Sequence, residues 1–367
     1  MRNQFHRIFA LTLVLCATFF LDPTYAAGPL KPVRIVVGTQ TLNIGYPWLT
    51  LPQAQALGYW KEEGYDVQVV PLAPPAQPIA LLLAGQADFA MVNGAVVVQA
   101  HALKNEPVKV AMLNGVTDWS IGVLADSPYK SVKDLKGKVI GTFGLASGGV
   151  ALLRAYFQDN GMDPDKDVQI IATGSGAPAI DALRSGRVQA LVFWATAMAS
   201  YENAGLKMRY MRGADWRQIP DYSLSVMEKT AQTDPKMVEG IVRGMAKATV
   251  FALANPDCAR RIQWKTWPST KPTGSSDDKV LAKWDDNVLN AQLATLSDAF
   301  TMTGGKYYGN FDPAAYDRLQ QFMLRTKQIP KTVPPSDYAL QIPDFYGRAN
   351  SFDAGAIKQA SLKCSGW

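Results

Sequence analysis

Two distant stretches of the chain carry the same succession of apolar and polar positions. Leu82-Leu-Ala-Gly-Gln-Ala-Asp-Phe-Ala-Met91 is echoed by Leu183-Arg-Ser-Gly-Arg-Val-Gln-Ala-Leu191. In both, apolar residues at helical spacing run into a glycine, Gly85 or Gly186. Two residues then turn the chain, and a short apolar run follows. Glycine suits the left-handed position that closes a helix, and a short apolar run bounded by turn residues reads as a buried strand. The echo predicts two similar α/β units in tandem.

The same patterning covers the chain between and around these stretches. β-branched or alternating apolar runs predict strands at Val33–Val37, Tyr65–Val70, Phe89–Val92 and Val108–Leu113. Helical spacing predicts helices over Trp48–Trp60, Ile79–Ala84 and Ala95–Leu103. A second series has strands at Ile121–Ala125, Val139–Thr142, Val168–Ala172, Ala190–Phe193 and Met208–Met211. Its helices fall at Gly149–Asn160, Ala177–Ser185 and Ala197–Ala204. Strand–helix alternation at this spacing implies mostly parallel pairing through right-handed crossovers. Tyr222–Met227 is an apolar stretch suited to return the chain to the first unit. Beyond it the pattern is helical, with helices expected over Pro235–Ala254, Cys258–Trp267, Lys279–Ala299 and Pro313–Lys327. This tail is expected to pack on the first unit. The expected organisation is a signal peptide over 1–26, a discontinuous first lobe over 33–120 and 225–367, and a second lobe over 121–224. Two crossings between lobes would form a hinge.

Composition adds a compartment. Arg2 and Arg7 precede an apolar run, Ile8–Leu21, and small residues follow at Ala26 and Ala27, the order of a cleaved secretory leader. The run is about 14 residues, short for a membrane span. Cys16 lies inside it after Leu15, where a lipoprotein site would want a small residue. The mature protein is therefore expected to be exported and soluble. Cleavage leaves Cys258 and Cys364, an even number that in an oxidising compartment favours a disulfide. Two separate buried thiols are the alternative. Of the two histidines, His6 and His101, the first leaves with the leader, which argues against histidine-based catalysis or a His-rich metal site. No cofactor is expected. The net charge of +6 is spread along the chain without a basic block, so nucleic-acid binding gains no support.

Several ordered segments carry a family resemblance: Leu57-Gly-Tyr-Trp-Lys-Glu-Glu-Gly-Tyr-Asp-Val67, Leu83-Ala-Gly-Gln-Ala-Asp-Phe89, Asp134-Leu-Lys-Gly-Lys-Val-Ile-Gly141 and Ala182-Leu-Arg-Ser-Gly-Arg-Val-Gln-Ala190. With the leader, they make the chain resemble the periplasmic solute-binding proteins of ABC importers, in the branch that serves nitrate, sulfonates, taurine and thiamine precursors. The resemblance spans about Val33 to Ala254. It implies a type II two-lobe α/β fold, with mixed sheets flanked by helices and a helical C-terminal region. It also implies a periplasmic monomer that delivers a small solute to an inner-membrane permease with its ATPase.

In open α/β sheets the ligand crevice lies beyond the carboxyl ends of the strands. The residues just past each expected strand are therefore the candidates. Thr39, Gln40, Asn43 and Tyr46 follow the first, Asn93 and Gly94 the third, and Asn114, Thr117, Asp118 and Trp119 the fourth. In the second lobe the candidates are Ser147, Gly148 and Gly149, then Trp194 and Thr196, with Thr173–Gly176 after another strand. Ser147-Gly-Gly149 opening a helix would aim backbone N–H groups and a hydroxyl at an anion, or act as an ordinary cap. Trp119 and Trp194 would stack on a planar ligand or belong to the core, and Trp216 and Tyr222 are weaker candidates of the same kind. Arg154, a turn into its helix, is expected at the surface. This set favours a small organic ligand with a planar or apolar body and one polar or anionic end. An enzyme of the thiamine-precursor type and an exported ligand sensor are the alternatives. The cysteine-rich segment of the former is missing here.

Overall fold

The computed structural model describes residues 28–39, 42–45, 49–72, 77–145 and 147–367. The expected signal peptide lies outside the described residues, as do Cys16, Gln40, Tyr46 and Trp48. Among the described residues, ten strands form two five-stranded mixed sheets. The first takes β1 (Lys31–Val37), β2 (Tyr65–Pro71), β3 (Phe89–Asn93), β4 (Val108–Leu113) and β10 (Tyr222–Met227), in the order β2-β1-β3-β10-β4. The second takes β5 (Ser120–Leu124), β6 (Lys138–Thr142), β7 (Val168–Ala172), β8 (Ala190–Phe193) and β9 (Met208–Met211), in the order β7-β6-β8-β5-β9.

Each sheet is parallel except for one inserted strand. β10 runs antiparallel between β3 and β4, and β5 runs antiparallel between β8 and β9. The expected mostly parallel pairing is thus broken once per sheet, by a strand that lies next to a crossing.

The repeated sequence motif builds the same local structure twice. Gly85 and Gly186 both take left-handed backbone, at φ 67° and 73°. The helix-closing bonds of the two glycines are equivalent: Gly85 N–H donates to the Leu82 carbonyl at 3.0 Å, and Gly186 N–H to the Leu183 carbonyl at 3.2 Å. The polar residue before each strand then fastens it to its neighbour. Asp88 accepts from the Arg34 N–H at 2.8 Å, and Gln189 accepts from the Val139 N–H at 3.0 Å.

One expected helix, Trp48–Trp60, is interrupted. Helices Thr50–Ala56 and Tyr59–Glu62 are separated at Gly58, whose left-handed φ of 76° ends the first and turns the chain into the second. Trp60 is then directed against helix Pro235–Ala254, where its indole N–H donates to the Ile241 carbonyl at 3.0 Å. A side chain at Gly244 would collide with that indole, its Cβ 2.3 Å from Trp60 Cδ1, so the glycine is what permits the contact. Buried Lys109 on β4 is satisfied by the Asp337 carbonyl at 2.8 Å and by Glu228 at 3.1 Å.

The helical tail divides. Helices Pro235–Ala254, Pro256–Thr266, Pro313–Arg325 and two that the sequence pattern does not reveal, Phe345–Ala349 and Ala354–Lys363, lie with the first sheet or with one another. Helix Asp278–Met302 departs from the expectation of a tail packed wholly on the first unit. It crosses to helix Ala195–Asn203 beside the second sheet, where Asn203 donates to the Trp284 carbonyl at 2.9 Å and accepts from Asn287 at 2.6 Å. Its apolar side stays with the first unit, where Leu289, Leu293 and Leu296 join Ile44, Leu49, Ala252 and Ala259 in one small core. Cys258 and Cys364 are joined by a disulfide with their Cα atoms 5.8 Å apart, which clips the C-terminal residues to helix Pro256–Thr266.

Candidate functional site

The chain passes from the first sheet to the second between β4 and β5, and returns between β9 and β10. The two passages hydrogen-bond to each other as a short antiparallel ribbon. Thr117 N–H donates to the Ile219 carbonyl at 2.8 Å, Asp221 N–H to Gly115 at 3.0 Å, and Asn114 N–H to Tyr222 at 2.8 Å, around a bridge between Val116 and Pro220. A cavity of about 1270 Å³ opens above this ribbon. Its walls come from the carboxyl ends of β1 and β3, from the start of helix Gly148–Asp159, from the residues after β8, and from Gln292 and Thr295 of the crossing helix. The placement follows from the sheets, because strand ends leave backbone groups and loop side chains facing a crevice between elements.

Of the residues singled out in the sequence, Thr39, Asn43, Asn93, Trp119, Ser147, Gly148, Trp194 and Thr196 line the cavity. Gln40 and Tyr46 lie outside the described residues. Gly94 and Gly149 stand behind the wall instead. Gly94 donates its N–H to the Asp221 carbonyl at 2.5 Å, and a Cβ there would stand 3.0 Å from that same oxygen. A Cβ on Gly149 would stand 2.1 Å from Cε3 of Trp119, so Gly149 seats the ring rather than the ligand. Asn93 caps helix Gly94–Lys104 by accepting from the Ala95 N–H at 2.9 Å, and its amide also donates to Asp221. Ser147 meets Thr142 hydroxyl to hydroxyl at 3.2 Å and makes no capping bond to its helix.

The aromatic wall is a chain of edge-to-face contacts. Trp119 meets Trp194 at 5.5 Å between ring centroids, and Trp194 meets Phe143 at 5.9 Å. Phe143, which the sequence pattern does not single out, is about half exposed at the mouth. Tyr222 also lines the cavity, whereas Trp216 is buried against Tyr156 in the second-sheet core.

Arg154 is partly exposed, in keeping with the surface position expected of it. It borders the cavity, yet its guanidinium is held by both oxygens of Asp165 at 2.7 Å. Arg325, also at the edge, is paired with Asp159 at 2.7 Å. Lys327 completes the basic residues of the exposed rim.

Two carboxylates at the ribbon face the cavity. Asp118 is among the candidates that follow the fourth expected strand, whereas the sequence gives no signal for Asp221. Asp118 is 7% exposed and accepts from the Ala195 N–H at 3.2 Å. Burial pushes its pKa up to about 6, against the opposing charges of Arg217 and Arg212. Burial raises Asp221 well above the ordinary carboxylate range, and the charge of Asp118 raises it further, while the Asn93 amide works the other way. Among the described residues there is no cluster of His, Cys, Asp and Glu fit for a metal ion, and no helix is long and apolar enough to cross a membrane.

Two mixed sheets flanked by helices, joined by a double crossing with a cleft above it, define the periplasmic binding-protein fold. The chain belongs to the NMT1/THI5-like family, whose model matches residues 50–259. It is 26% identical over 318 residues to a Haemophilus influenzae protein provisionally named for thiamine biosynthesis, covering 83% of this chain and 92% of that one. It is 27% identical over 322 residues to a protein of Brucella abortus provisionally named a binding protein, covering 83% and 95%. Among solved structures, the periplasmic aliphatic sulphonate binding protein SsuA of Escherichia coli superposes with a TM-score of 0.61 at 18% identity, over 85% of this chain and 92% of that one. The desulfurization enzyme DszB superposes with a TM-score of 0.58 at 15% identity, over 87% and 98%. At these identities the structural likeness speaks for the fold.

Proposed function

We propose that this protein is the exported substrate-binding component of an ABC importer, which captures a small organic solute between its two lobes and presents the closed form to a membrane permease and its ATPase. The observation that carries the reading is the cleft itself: its walls come from both sheets, and its floor is the ribbon where the chain crosses twice. A ligand that touches both walls favours the closed arrangement by the difference between its affinities for the two states. A ribbon of two short hydrogen-bonded segments is a suitable hinge, since few residues have to absorb the motion. Trp119 on the ribbon and Trp194 beyond β8 would hold the flat or apolar body of the solute. Thr39, Asn43, Asn93, Ser147 and Thr196 would supply hydrogen bonds. Family membership supports this reading, and so does the fold shared with a sulphonate-binding periplasmic protein.

Capture from a metabolite extract tests it. The ligand-free protein and its Trp119→Ala/Trp194→Ala variant are incubated with a small-molecule extract of a bacterial culture, washed and analysed by mass spectrometry. The expected result is one compound retained in near-stoichiometric amount by the wild type, chemically unchanged, and lost from the variant. No enriched compound, equal retention by the variant, or a compound released as a different mass would contradict the role.

A further inference from the structure

The floor of the cleft carries two carboxyl groups, while the basic side chains that line the cavity stand at its rim. Asp118 and Asp221 stand on the two strands of the crossing ribbon, one on each, on either side of the Val116–Pro220 bridge. Neither forms a salt bridge among the described residues: Asp118 accepts from a backbone N–H at 3.2 Å, Asp221 from the Asn93 amide, and the nearby Arg217 is engaged with Asp298 at 3.4 Å. The bordering guanidinium groups sit at the exposed rim and are already matched, Arg154 by Asp165 and Arg325 by Asp159. Each ribbon carboxylate is also followed directly by an aromatic residue that lines the same cavity, Trp119 after Asp118 and Tyr222 after Asp221.

We propose that the solute is a small organic cation whose charge resides on N–H groups attached to a flat apolar body, with those N–H groups seated on Asp118 and Asp221 and the body against Trp119 and Trp194. This rests on the solute-binding role proposed above and narrows its ligand. Charge-assisted hydrogen bonds from an ammonium or amidinium suit two acceptor-only carboxylates. Aromatic ring faces attract the same cation. A cation favours the charged form of both carboxyls and so displaces their protons, whereas an anion at the floor would hold them neutral or meet like charge where water is scarce. Because the two carboxylates lie on the hinge ribbon, a bridging cation would join both crossings and couple its own binding to closure.

Four probes sharing one ring test the charge: benzylamine and benzamidine against benzenesulfonate and benzoate, each titrated calorimetrically into ligand-free protein. The expected result is binding of the two cations, with affinity at least about tenfold lower in Asp118→Asn and in Asp221→Asn, and release of protons seen as a dependence of the heat on the buffer. Circular dichroism melting of the ligand-free variants shows whether each is folded. Benzenesulfonate or benzoate binding more tightly than the cations overturns the charge assignment and leaves the solute-binding role standing. Undiminished cation affinity in the folded Asn variants also overturns the assignment. Failure of both cations to bind the wild type overturns it too, and capture from the extract then decides separately whether the transport role survives.

Discussion

Gly149 and Trp119 are in direct packing contact across the cleft wall: a Cβ on the glycine would stand 2.1 Å from Cε3 of the indole and 2.2 Å from Cζ3. The start of helix Gly148–Asp159 is thus packed directly against the aromatic residue at the end of the first crossing.

Replacing Gly149 with alanine is expected to displace the Trp119 ring. Alanine ordinarily strengthens a helix relative to glycine by about 0.5–1 kcal/mol, so a net loss would isolate the clash. The expected cost is about 1–3 kcal/mol in urea unfolding, with a shifted tryptophan emission. The neighbour supplies the control. A Cβ on Gly148 meets nothing within 4 Å, so Gly148→Ala is expected to be neutral or slightly stabilising. Equal effects at the two positions would contradict the seating role of Gly149.

Asp118 makes a prediction about pH. Its folded pKa of about 6 lies above the ordinary 3.8, so as pH rises the unfolded chain loses this proton first. Stability falls between about pH 4 and 6, and the penalty is fully present above that range. Asp118→Asn is therefore expected to stabilise the ligand-free protein at pH 8 by up to about 3 kcal/mol, with the gain shrinking below pH 5. Denaturant unfolding of both proteins at pH 8 and pH 4.5 measures this. A variant less stable than wild type at pH 8 would mean that the hydrogen bond to Ala195 and the charge of Arg217 outweigh the burial.

The disulfide between Cys258 and Cys364 closes a loop across 106 positions of sequence, far from the cleft lining. Replacing both cysteines with serine is expected to lower stability by about 2–5 kcal/mol and to leave ligand affinity within about twofold. The same drop in melting temperature on adding a reductant to the wild type would confirm the source.

Helix Asp278–Met302 forms a strap between the halves, and Asn203 makes two hydrogen bonds to it from helix Ala195–Asn203. Asn203→Ala removes the bonds to the Trp284 carbonyl and to Asn287, worth about 1–2 kcal/mol together. The ligand-free variant is expected to show a larger radius of gyration in small-angle X-ray scattering. An unchanged radius would show that the strap does not restrain opening.

The elements were legible where their cause is local. Gly85 and Gly186 announce the helix ends, the β-branched runs announce strands such as β4 and β7 to the residue, and Pro235 marks the first turn of its helix. The break at Gly58 was not, because glycine inside an apolar periodic run gives no sign of whether the helix continues through it. In the site, the rule that ligands lie past strand ends reached Thr39, Asn93, Trp119 and Trp194. It did not reach Asp221, which precedes β10 and faces the cavity only because the two crossings pair with each other. That pairing is between residues about a hundred positions apart (Asn114 with Tyr222, Thr117 with Ile219) and leaves no local pattern.

The most direct test of the account is a thermal-shift screen of refolded, ligand-free protein against alkyl sulfonates, taurine, nitrate, aromatic carboxylates, pyrimidines and aromatic amines. A solute that binds only the folded state raises the melting temperature by mass action. The account predicts a concentration-dependent rise with one chemical class, abolished in the Trp119→Ala/Trp194→Ala variant. A rise that persists in that variant, or none with any class, would contradict the claim that this cleft captures a small organic solute.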